Sequence, residues 1–169
     1  MPGLVDVPDD GGMQPGYRLS TDPADLDRER VHRWLSTDAY WALGRPRERQ
    51  DAAIDASRNY GVFDEASGDQ VAYARVVTDG VTFAWLCDVY VDPSVRGNGV
   101  GVGLIEGVVA DLEPLGLRRA MLATADAHGL YAKFGFEPLA EPARWMVRLA
   151  PASGAGGVVG VGSGGVGGS

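Results

Sequence analysis

Residues 96–103 read Arg-Gly-Asn-Gly-Val-Gly-Val-Gly and lie where an apolar strand pattern gives way to a helical one. Glycines at alternate positions let the main chain approach a ligand closely, and the first N–H groups of a helix have no partner within it. Together with the helix dipole, these N–H groups favour an anion. The stretch therefore predicts a phosphate- or pyrophosphate-binding turn. A loop that merely turns tightly is the alternative, although one glycine would serve that purpose.

Two common phosphate-binding motifs do not fit this turn. A P-loop needs a lysine after its last glycine, but the sole lysine of the chain is Lys133. The dinucleotide fingerprint G-x-G-x-x-G fails because no glycine stands at its sixth position, whichever glycine of the turn is taken as the first. The pattern that remains is Arg-x-x-Gly-x-Gly, formed by Arg96, Gly99 and Gly101.

The elements on either side of the turn follow from apolar periodicity and turn residues. Helices are expected to begin at Thr21-Asp22-Pro23, at Pro46, directly after the glycine-rich turn, and at Asp126 as a capping residue. The predicted strands are Tyr17–Ser20, Tyr60–Asp64, Gln70–Val77, Val81–Val91, Leu117–Thr124, Glu137–Ala140 and Trp145–Leu149. The order β-α-α-β-β-β-α-β-α-β-β predicts an α/β fold in which helices flank a mixed central sheet.

The two ends of the chain differ in composition from its middle. Residues 1–15 mix Pro, Gly and Asp and are expected to form a flexible N-terminal segment. Residues 151–169 are almost entirely Gly, Val, Ser and Ala, which predicts a disordered tail because ordering so many glycines is entropically unfavourable. Residues 16–150 are therefore expected to form one folded domain.

Composition excludes several classes of protein. The net charge of −8, with no Lys/Arg run, argues against a nucleic-acid partner. If the acidic charge extends into a pocket, it favours a cationic small molecule. The lone Cys87 permits no intramolecular disulfide, and no apolar run approaches membrane-spanning length. Two histidines and one cysteine, widely scattered, indicate no metal site. We expect a cytoplasmic monomer or homodimer without a membrane partner.

A resemblance to a known family rests on two motifs. Residues 89–101, Val-Tyr-Val-Asp-Pro-Ser-Val-Arg-Gly-Asn-Gly-Val-Gly, resemble the acetyl-CoA-binding segment of the GNAT superfamily of N-acetyltransferases. Residues 130–136, Leu-Tyr-Ala-Lys-Phe-Gly-Phe, are similar to the downstream signature of that superfamily. The resemblance spans Tyr17 to Leu149. It implies an acyl-CoA-dependent N-acyltransferase that uses acetyl-CoA as cosubstrate and acetylates a primary amine of a small molecule by direct attack in a ternary complex.

The resemblance also implies roles for individual residues. The backbone at Val89 and Val91 would pair with the pantetheine arm of CoA, and the amides of the glycine-rich turn would hold the pyrophosphate. Tyr131 would supply a proton to the departing thiolate. The implied cofactor-binding set is Val89, Tyr90, Val91, Arg96, Gly97, Asn98, Gly99, Val100, Gly101 and Val102. Many relatives carry an Asn before the last helix, where this chain has Thr124-Ala125-Asp126.

Asp88 is the second catalytic candidate, because it is the one charge within residues 81–91 and a buried charge needs a partner or a function. A two-residue turn at Asp79-Gly80 would separate Asp88 from Arg75 by about 13 Å, at ~3.3 Å per residue. We therefore expect no direct pair with Arg75, whereas a structural pair with Arg118 or Arg119 stays open.

The resemblance adds that polyamine acetyltransferases of the same superfamily carry an acid at the position of Asp88. A proton must leave the amine before or during attack. Asp88 is accordingly predicted to act as base or as substrate anchor.

Other residues keep two interpretations each. Cys87 invites an acetyl-enzyme, but no histidine is near in sequence, and a buried small hydrophobe is expected. His128 is expected to form local hydrogen bonds rather than to catalyse. The aromatic loop 40–46 either lines the acceptor site or anchors the core. Two other functions stay open: a protein lysine or N-terminal acetyltransferase, and a non-catalytic acyl-CoA-binding regulatory module.

Overall fold

The computed structural model describes residues 12–151. Within this range there are five strands, namely β1 Tyr17–Ser20, β2 Arg58–Asp64, β3 Gln70–Thr78, β4 Phe83–Val91 and β5 Arg119–Met121. The α-helices of the same range are α1 Arg28–Thr37, α2 Arg47–Asp55, α3 Val100–Leu112 and α4 His128–Ala132. Short 3-10 turns precede α1 and α3 and follow α3.

The strands form one sheet in the order β1-β2-β3-β4-β5. Neighbours are antiparallel except β4 and β5, which are parallel. Alternate residues of a strand face opposite sides, so Ala72 and Ala74 pack with α3 while Tyr73 packs with α1 and α2. Helices thus cover both faces of a mixed sheet, and the predicted α/β fold is confirmed.

Two glycines of α3 are required by packing. A Cβ at Gly107 would lie 2.5 Å from Cδ2 of Leu19 on β1, and a Cβ at Gly103 would overlap the side chain of Met13. The last of the four alternate glycines is therefore explained by a helix–chain contact rather than by a ligand. The same contact corrects the expectation that residues up to 15 stay unpacked, because Met13 packs against the core. The predictions for residues 1–11 and 152–169 lie outside the described residues.

The end of the domain departs from expectation. Residues 137–149 were expected to supply two strands, but they contain the 3-10 turn Pro142–Arg144 and no strand. Pro138 and Pro142 supply no N–H for a ladder. Met146 and Val147 are 97% and 80% exposed. Among the described residues β5 is therefore an edge of the sheet.

The start of α4 was also predicted wrongly. The N–H of Ala127 donates to Oγ1 of Thr124 at 3.0 Å, and the helix begins at His128. Thr124, not Asp126, supplies the side-chain acceptor before this helix.

The β3–β4 hairpin is wider than expected. Thr78 pairs with Ala84, and the carboxylate of Asp79 accepts hydrogen bonds from the main chain of Val81 and Thr82. This local network stabilises a loop of residues 79–82 in place of the two-residue turn. The register of β3 against β4 shifts accordingly.

Candidate active site

A β-bulge in β4 positions Asp88. Cys87 pairs with Arg75 and Tyr90 pairs with Tyr73, so two residues on β4 stand opposite one on β3. Asp88 is the sole non-glycine residue with positive φ, 53°, among residues 12–151. The bulge therefore places Asp88 in an unfavourable backbone conformation.

The bulge also reverses which residues of β4 face the two sides of the sheet. Leu86 packs in the cluster that contains α3, whereas Tyr90 packs in the cluster that contains α1 and α2. Strict alternation would place both on one side. As a result Asp88 reaches the α1–α2 side, where its side chain meets the loop between those helices.

Two arginines and an indole surround the Asp88 carboxylate, which is 2% exposed. Arg45 donates to Oδ2 at 2.7 Å and to Oδ1 at 3.2 Å. Nε of Arg75 donates to Oδ2 at 2.9 Å, and Nε1 of Trp41 donates to Oδ1 at 3.2 Å. Each carboxylate oxygen therefore accepts two hydrogen bonds.

This arrangement holds Asp88 ionised. Burial raises the pKa of Asp88, but the hydrogen bonds and charges of Arg45 and Arg75 outweigh it and leave the pKa below its ordinary value. The expectation that Arg75 lies too far away was wrong, because the wider hairpin loop and the bulge move Arg75 along β4 toward Asp88. Arg45 and Arg75 take the place that the sequence left open for Arg118 or Arg119.

A cavity of about 840 Å³ opens beside this cluster. β5 pairs with β4 from Phe83 to Trp85, and no further pairing between the two strands occurs within residues 12–151. The strands separate beyond that point, and Val89 and Val91 line the cavity. The main chain of β4 is thereby accessible to an extended ligand.

The loop between α1 and α2 forms another wall of the cavity. Tyr40, Trp41 and Arg45 all line it. Tyr40 and Trp41 are 52% and 40% exposed and contact each other edge to face, with ring centroids 4.9 Å apart. The interpretation of this loop as part of the site, rather than as a core anchor, fits the structure.

The glycine-rich turn lies at the start of α3. Gly99 is the N-cap residue in a left-handed conformation, φ 70°, and no side chain caps the helix. The first N–H groups of α3 are therefore left without a side-chain acceptor. Gly97 has φ 87°, so glycine is also needed there for the turn itself.

The predicted cofactor-binding residues divide into two groups. Those that line the cavity are Val89, Tyr90, Val91, Arg96 and Gly101. Those that lie in the turn or first helical turn without lining it are Gly97, Asn98, Gly99, Val100 and Val102. Nδ2 of Asn98 donates to the hydroxyl of Tyr17 at 3.1 Å, so the Asn98 side chain joins the turn to β1. Arg96 donates to the carbonyl oxygen of Val91.

Tyr131 of α4 lines the opposite wall of the cavity. Its side chain packs edge to face against Phe136, with ring centroids 6.0 Å apart. Burial, with a smaller contribution from the charge of Asp126, raises the pKa of Tyr131 to about 12. The hydroxyl is therefore protonated at neutral pH.

Cys87 and His128 differ in their relation to the cavity. Cys87 is half-buried and lines it, and burial raises the pKa of its thiol to about 11. His128 is exposed at the start of α4 and is not among the residues that line the cavity. Arg75, which the sequence excluded as a partner of Asp88, belongs to the site, and its signal was a charged residue within a largely apolar strand.

Neither a metal site nor a membrane span is found in the described part of the chain. Residues 12–151 contain no group of three or more His, Cys, Asp or Glu residues that could hold a metal ion. No helix in this range has the length and apolar character needed to cross a membrane.

Comparisons with known proteins agree with this geometry. A Xanthomonas campestris protein of known structure, described as a candidate GNAT-family acetyltransferase, is 46% identical and superimposes with a TM-score of 0.77 over 84% of this chain and 98% of its own. A candidate acetyltransferase of Gibberella zeae is 33% identical over 69% of this chain and 76% of its own length. Serotonin N-acetyltransferase 2, chloroplastic, from Oryza sativa is 38% identical over 59% of this chain and 53% of its own length.

The family assignment rests on a match that covers most of the fold. Residues 28–136, from α1 to the end of the α4 signature, match the model of the acetyltransferase (GNAT) family. This range contains the glycine-rich turn, the bulged strand and Tyr131. The chain therefore belongs to the GNAT family of acetyltransferases.

Proposed function

We propose that the protein transfers an acetyl group from acetyl-CoA to the primary amine of a small molecule by direct attack in a ternary complex. The observation that carries this proposal is the 840 Å³ cavity, which joins the open edge of β4 to Tyr131 and the aromatic loop. GNAT enzymes are acetyltransferases that use acetyl-CoA, and a cavity of this size lies within the range of small-molecule sites.

The separation of β4 and β5 supports the proposed position of acetyl-CoA. The pantetheine arm would hydrogen-bond to the main chain at Val89 and Val91 in the manner of an added strand. The pyrophosphate would bind N–H groups of the glycine-rich turn and of the first turn of α3, from Gly97 to Val102, where the helix dipole favours negative charge. The thioester would then lie between the bulge and Tyr131.

The chemical step forms one bond and breaks another. The neutral amine attacks the thioester carbonyl carbon, and the resulting oxyanion is stabilised by a main-chain N–H near the separated strand ends. The C–N bond forms, the C–S bond breaks, and the amine proton leaves to solvent or to a bound water. CoA departs as a thiolate that must be stabilised or protonated.

Tyr131 is the proposed donor to that thiolate. Tyr131 lines the cavity, and its hydroxyl is protonated because its pKa is about 12. A thiol has a pKa of about 8.5, so a complete proton transfer from Tyr131 in its resting environment is uphill. We therefore propose that the Tyr131 hydroxyl donates a hydrogen bond that strengthens as negative charge develops on the sulfur. The proton moves to the sulfur only when the C–S bond breaks and the full thiolate charge has formed.

The Cys87 thiol favours direct attack over an acetyl-enzyme. With a pKa of about 11 almost none of it is thiolate at neutral pH, and the thiolate is the nucleophilic form. No histidine within residues 12–151 forms a hydrogen bond with Cys87. The ring of His32 instead bonds to the carbonyl oxygen of Arg45, at 2.9 Å from Nε2.

Of the two roles predicted for Asp88, that of base is disfavoured by its hydrogen bonds, which also occupy the oxygens that a substrate anchor would use. Four donors occupy its oxygens, and its lowered pKa makes it a weak base. We propose that Asp88 positions Arg45 and Arg75 beside the acceptor, and that a water molecule takes the amine proton.

The test is a reaction of purified protein with acetyl-CoA and a panel of amines, followed by release of free thiol and by mass spectrometry of the product. The panel includes small amines, lysine-containing peptides and peptides with free N-termini. Acetylation of a small amine supports the proposal, and acetylation of peptides alone supports the protein-acetyltransferase alternative. CoA binding without thiol release from any member supports the regulatory-module alternative.

One relative with a named substrate is the rice serotonin N-acetyltransferase, whose name favours a small amine over a protein acceptor. The cytoplasmic location and the monomeric or homodimeric state stay predictions.

A further inference from the structure

Two arginines on the acceptor side of the cavity, Arg45 and Arg75, share one buried carboxylate. Arg45 and Arg75 both line the cavity and both contact Asp88, which leaves one excess positive charge in this cluster. The two arginine side chains are 19% and 14% exposed, so they are poorly hydrated. An unneutralised charge in such a place attracts a counter-ion.

Half of the N–H donors of Arg45 and Arg75 have no hydrogen-bond partner within residues 12–151. Two guanidinium groups offer ten N–H donors. Arg45 uses three of them, on Gln50 and twice on Asp88, and Arg75 uses two, on Asp88 and Ser57. Five donors remain, including both N–H groups on Nη2 of Arg75.

The other charged residues that line the cavity make no ion pair with Arg45 or Arg75 within residues 12–151. Asp38 accepts a hydrogen bond from the hydroxyl of Tyr90, and Arg96 binds the carbonyl oxygen of Val91 near the turn. Asp126 lies on the α4 side, close enough to influence Tyr131. The formal charge of the cavity wall is therefore zero, although the whole chain carries a charge of −8. Its charged residues are Arg45, Arg75 and Arg96 together with Asp38, Asp88 and Asp126.

This balance bears on the class of acceptor. A polyamine would bring several positive charges to a cluster that is already positive. An acceptor with its own carboxylate or phosphate would neutralise the excess and use the free donors, since guanidinium groups bind both oxyanions in a planar, bidentate geometry. The expectation of a cationic acceptor, drawn from the overall acidity of the chain, does not fit this wall of the cavity.

We propose that Arg45 and Arg75 bind an anionic group of the acceptor, so that the substrate is an amine that also carries a carboxylate or a phosphate. This inference rests on the proposed function. Tyr40, Trp41 and Trp85 line the same cavity and offer apolar contact to the remainder of such a molecule.

The experiment compares amines in pairs whose members differ in the anionic group. Suitable pairs are phenylethylamine with phenylalanine, serotonin with 5-hydroxytryptophan, and glucosamine with glucosamine 6-phosphate. For the wild-type protein we expect kcat/KM for the anionic member of at least one pair to exceed that of its partner roughly 10- to 100-fold, as expected for hydrogen bonds to a charged group. The pair that responds distinguishes carboxylate from phosphate.

Arg75→Met tests the assignment to these residues. It should raise KM for the anionic member about tenfold or more, while KM for the uncharged partner and for acetyl-CoA changes little. Arg58→Met is the matched control, because Arg58 pairs with Asp111 at 2.7 Å and does not line the cavity. If Arg75→Met does not fold, Arg75→Lys replaces it in the test, because lysine retains the charge but lacks the planar, bidentate donors of the guanidinium group. Arg75→Lys should likewise raise KM for the anionic member and not for its uncharged partner.

The outcomes separate the two proposals. Faster acetylation of the uncharged member in every pair overturns the anion site and leaves the proposed function intact. An equal loss for both members in Arg75→Met also overturns it, since Arg75 would then serve structure alone. No thiol release with any amine overturns the proposed function, and the anion site with it.

Discussion

Arg75 and Asp88 form an ion pair across β3 and β4, with Nε of Arg75 2.9 Å from Oδ2 of Asp88. The pair exists because the β4 bulge directs Asp88 to the face that Arg75 already occupies. Arg45, from the loop after α1, completes it at 2.7 Å from the same oxygen. One carboxylate therefore ties the aromatic loop to the sheet at the point where the strands separate.

Replacing Asp88 by Asn should destabilise the fold. The neutral amide leaves Arg45 and Arg75 poorly exposed and without a counter-ion, and loss of one partner from a buried pair costs about 3–5 kcal/mol. Urea unfolding monitored by circular dichroism measures the change. Glu141→Gln is the control, because its pair with Arg144 is exposed and should contribute less than about 1 kcal/mol.

The free energy of unfolding that is lost in Asp88→Asn should depend on pH in a defined direction. The folded state lowers the pKa of Asp88, so the stabilisation is fully present above the unfolded pKa of about 3.9 and is lost as pH falls through the folded value. The stability difference between wild type and Asp88→Asn should be constant from pH 5 to 7 and shrink below about pH 4. A difference that grows on acidification would contradict the assignment of the ion pair.

Much of the fold was predictable from the sequence because its signals are local. β1 was placed at its observed bounds, and α3 follows the glycine-rich turn as predicted, with Leu104, Ile105 and Val108 buried. The strands proposed beyond residue 136 were wrong because an alternating apolar pattern forms a strand only where it pairs in register with a partner strand, and Pro138 and Pro142 supply no N–H for such pairing. Periodicity contains no information on that partner.

The site was predictable in its chain segments but not in its contacts. The sequence marked Asp88 as a buried charge and the 40–46 loop as a candidate wall. It did not give the partners, because a register shift and a bulge depend on Asp79 hydrogen bonds and on packing across the sheet. The one extra residue of a bulge changes which side chains meet across the sheet. The intrinsic strand propensity of the residues does not indicate where such a bulge occurs.

Gly101→Val should abolish the stabilisation of the protein by CoA. Gly101 lies in the first turn of α3, lines the cavity and does not have positive φ, so a side chain there would obstruct the ligand without backbone strain. In wild type, CoA should raise the Tm because it binds the native state selectively. Gly129→Ala is the control, because a Cβ at Gly129 meets open space in α4 and should leave the shift unchanged. Equal CoA shifts in wild type and Gly101→Val would remove the pyrophosphate assignment.

Cys87→Ala should retain most of the turnover. A thiol with a pKa of about 11 is not a useful nucleophile at neutral pH, and direct attack does not require it. Steady-state kcat with the best amine of the panel is the measurement, accompanied by intact-mass analysis of wild type mixed with acetyl-CoA alone. An added acetyl group on wild type that is absent from Cys87→Ala, together with a large loss of turnover, would establish an acetyl-enzyme instead.

Tyr131→Phe should lower kcat by roughly 10²–10⁴-fold, the contribution typical of a general acid, while CoA still raises the Tm. The substitution removes one hydroxyl and preserves the ring that packs against Phe136. Because the pKa of Tyr131 is about 12, the hydroxyl stays protonated throughout the accessible range, and the ratio of wild-type to variant kcat should be constant from pH 6 to 10. Tyr60→Phe is the matched control: it removes a buried hydroxyl that donates to Asp111 at 2.6 Å, outside the cavity, and should affect stability without affecting kcat. A kcat for Tyr131→Phe within about twofold of wild type would show that solvent protonates the thiolate and that Tyr131 serves to pack α4.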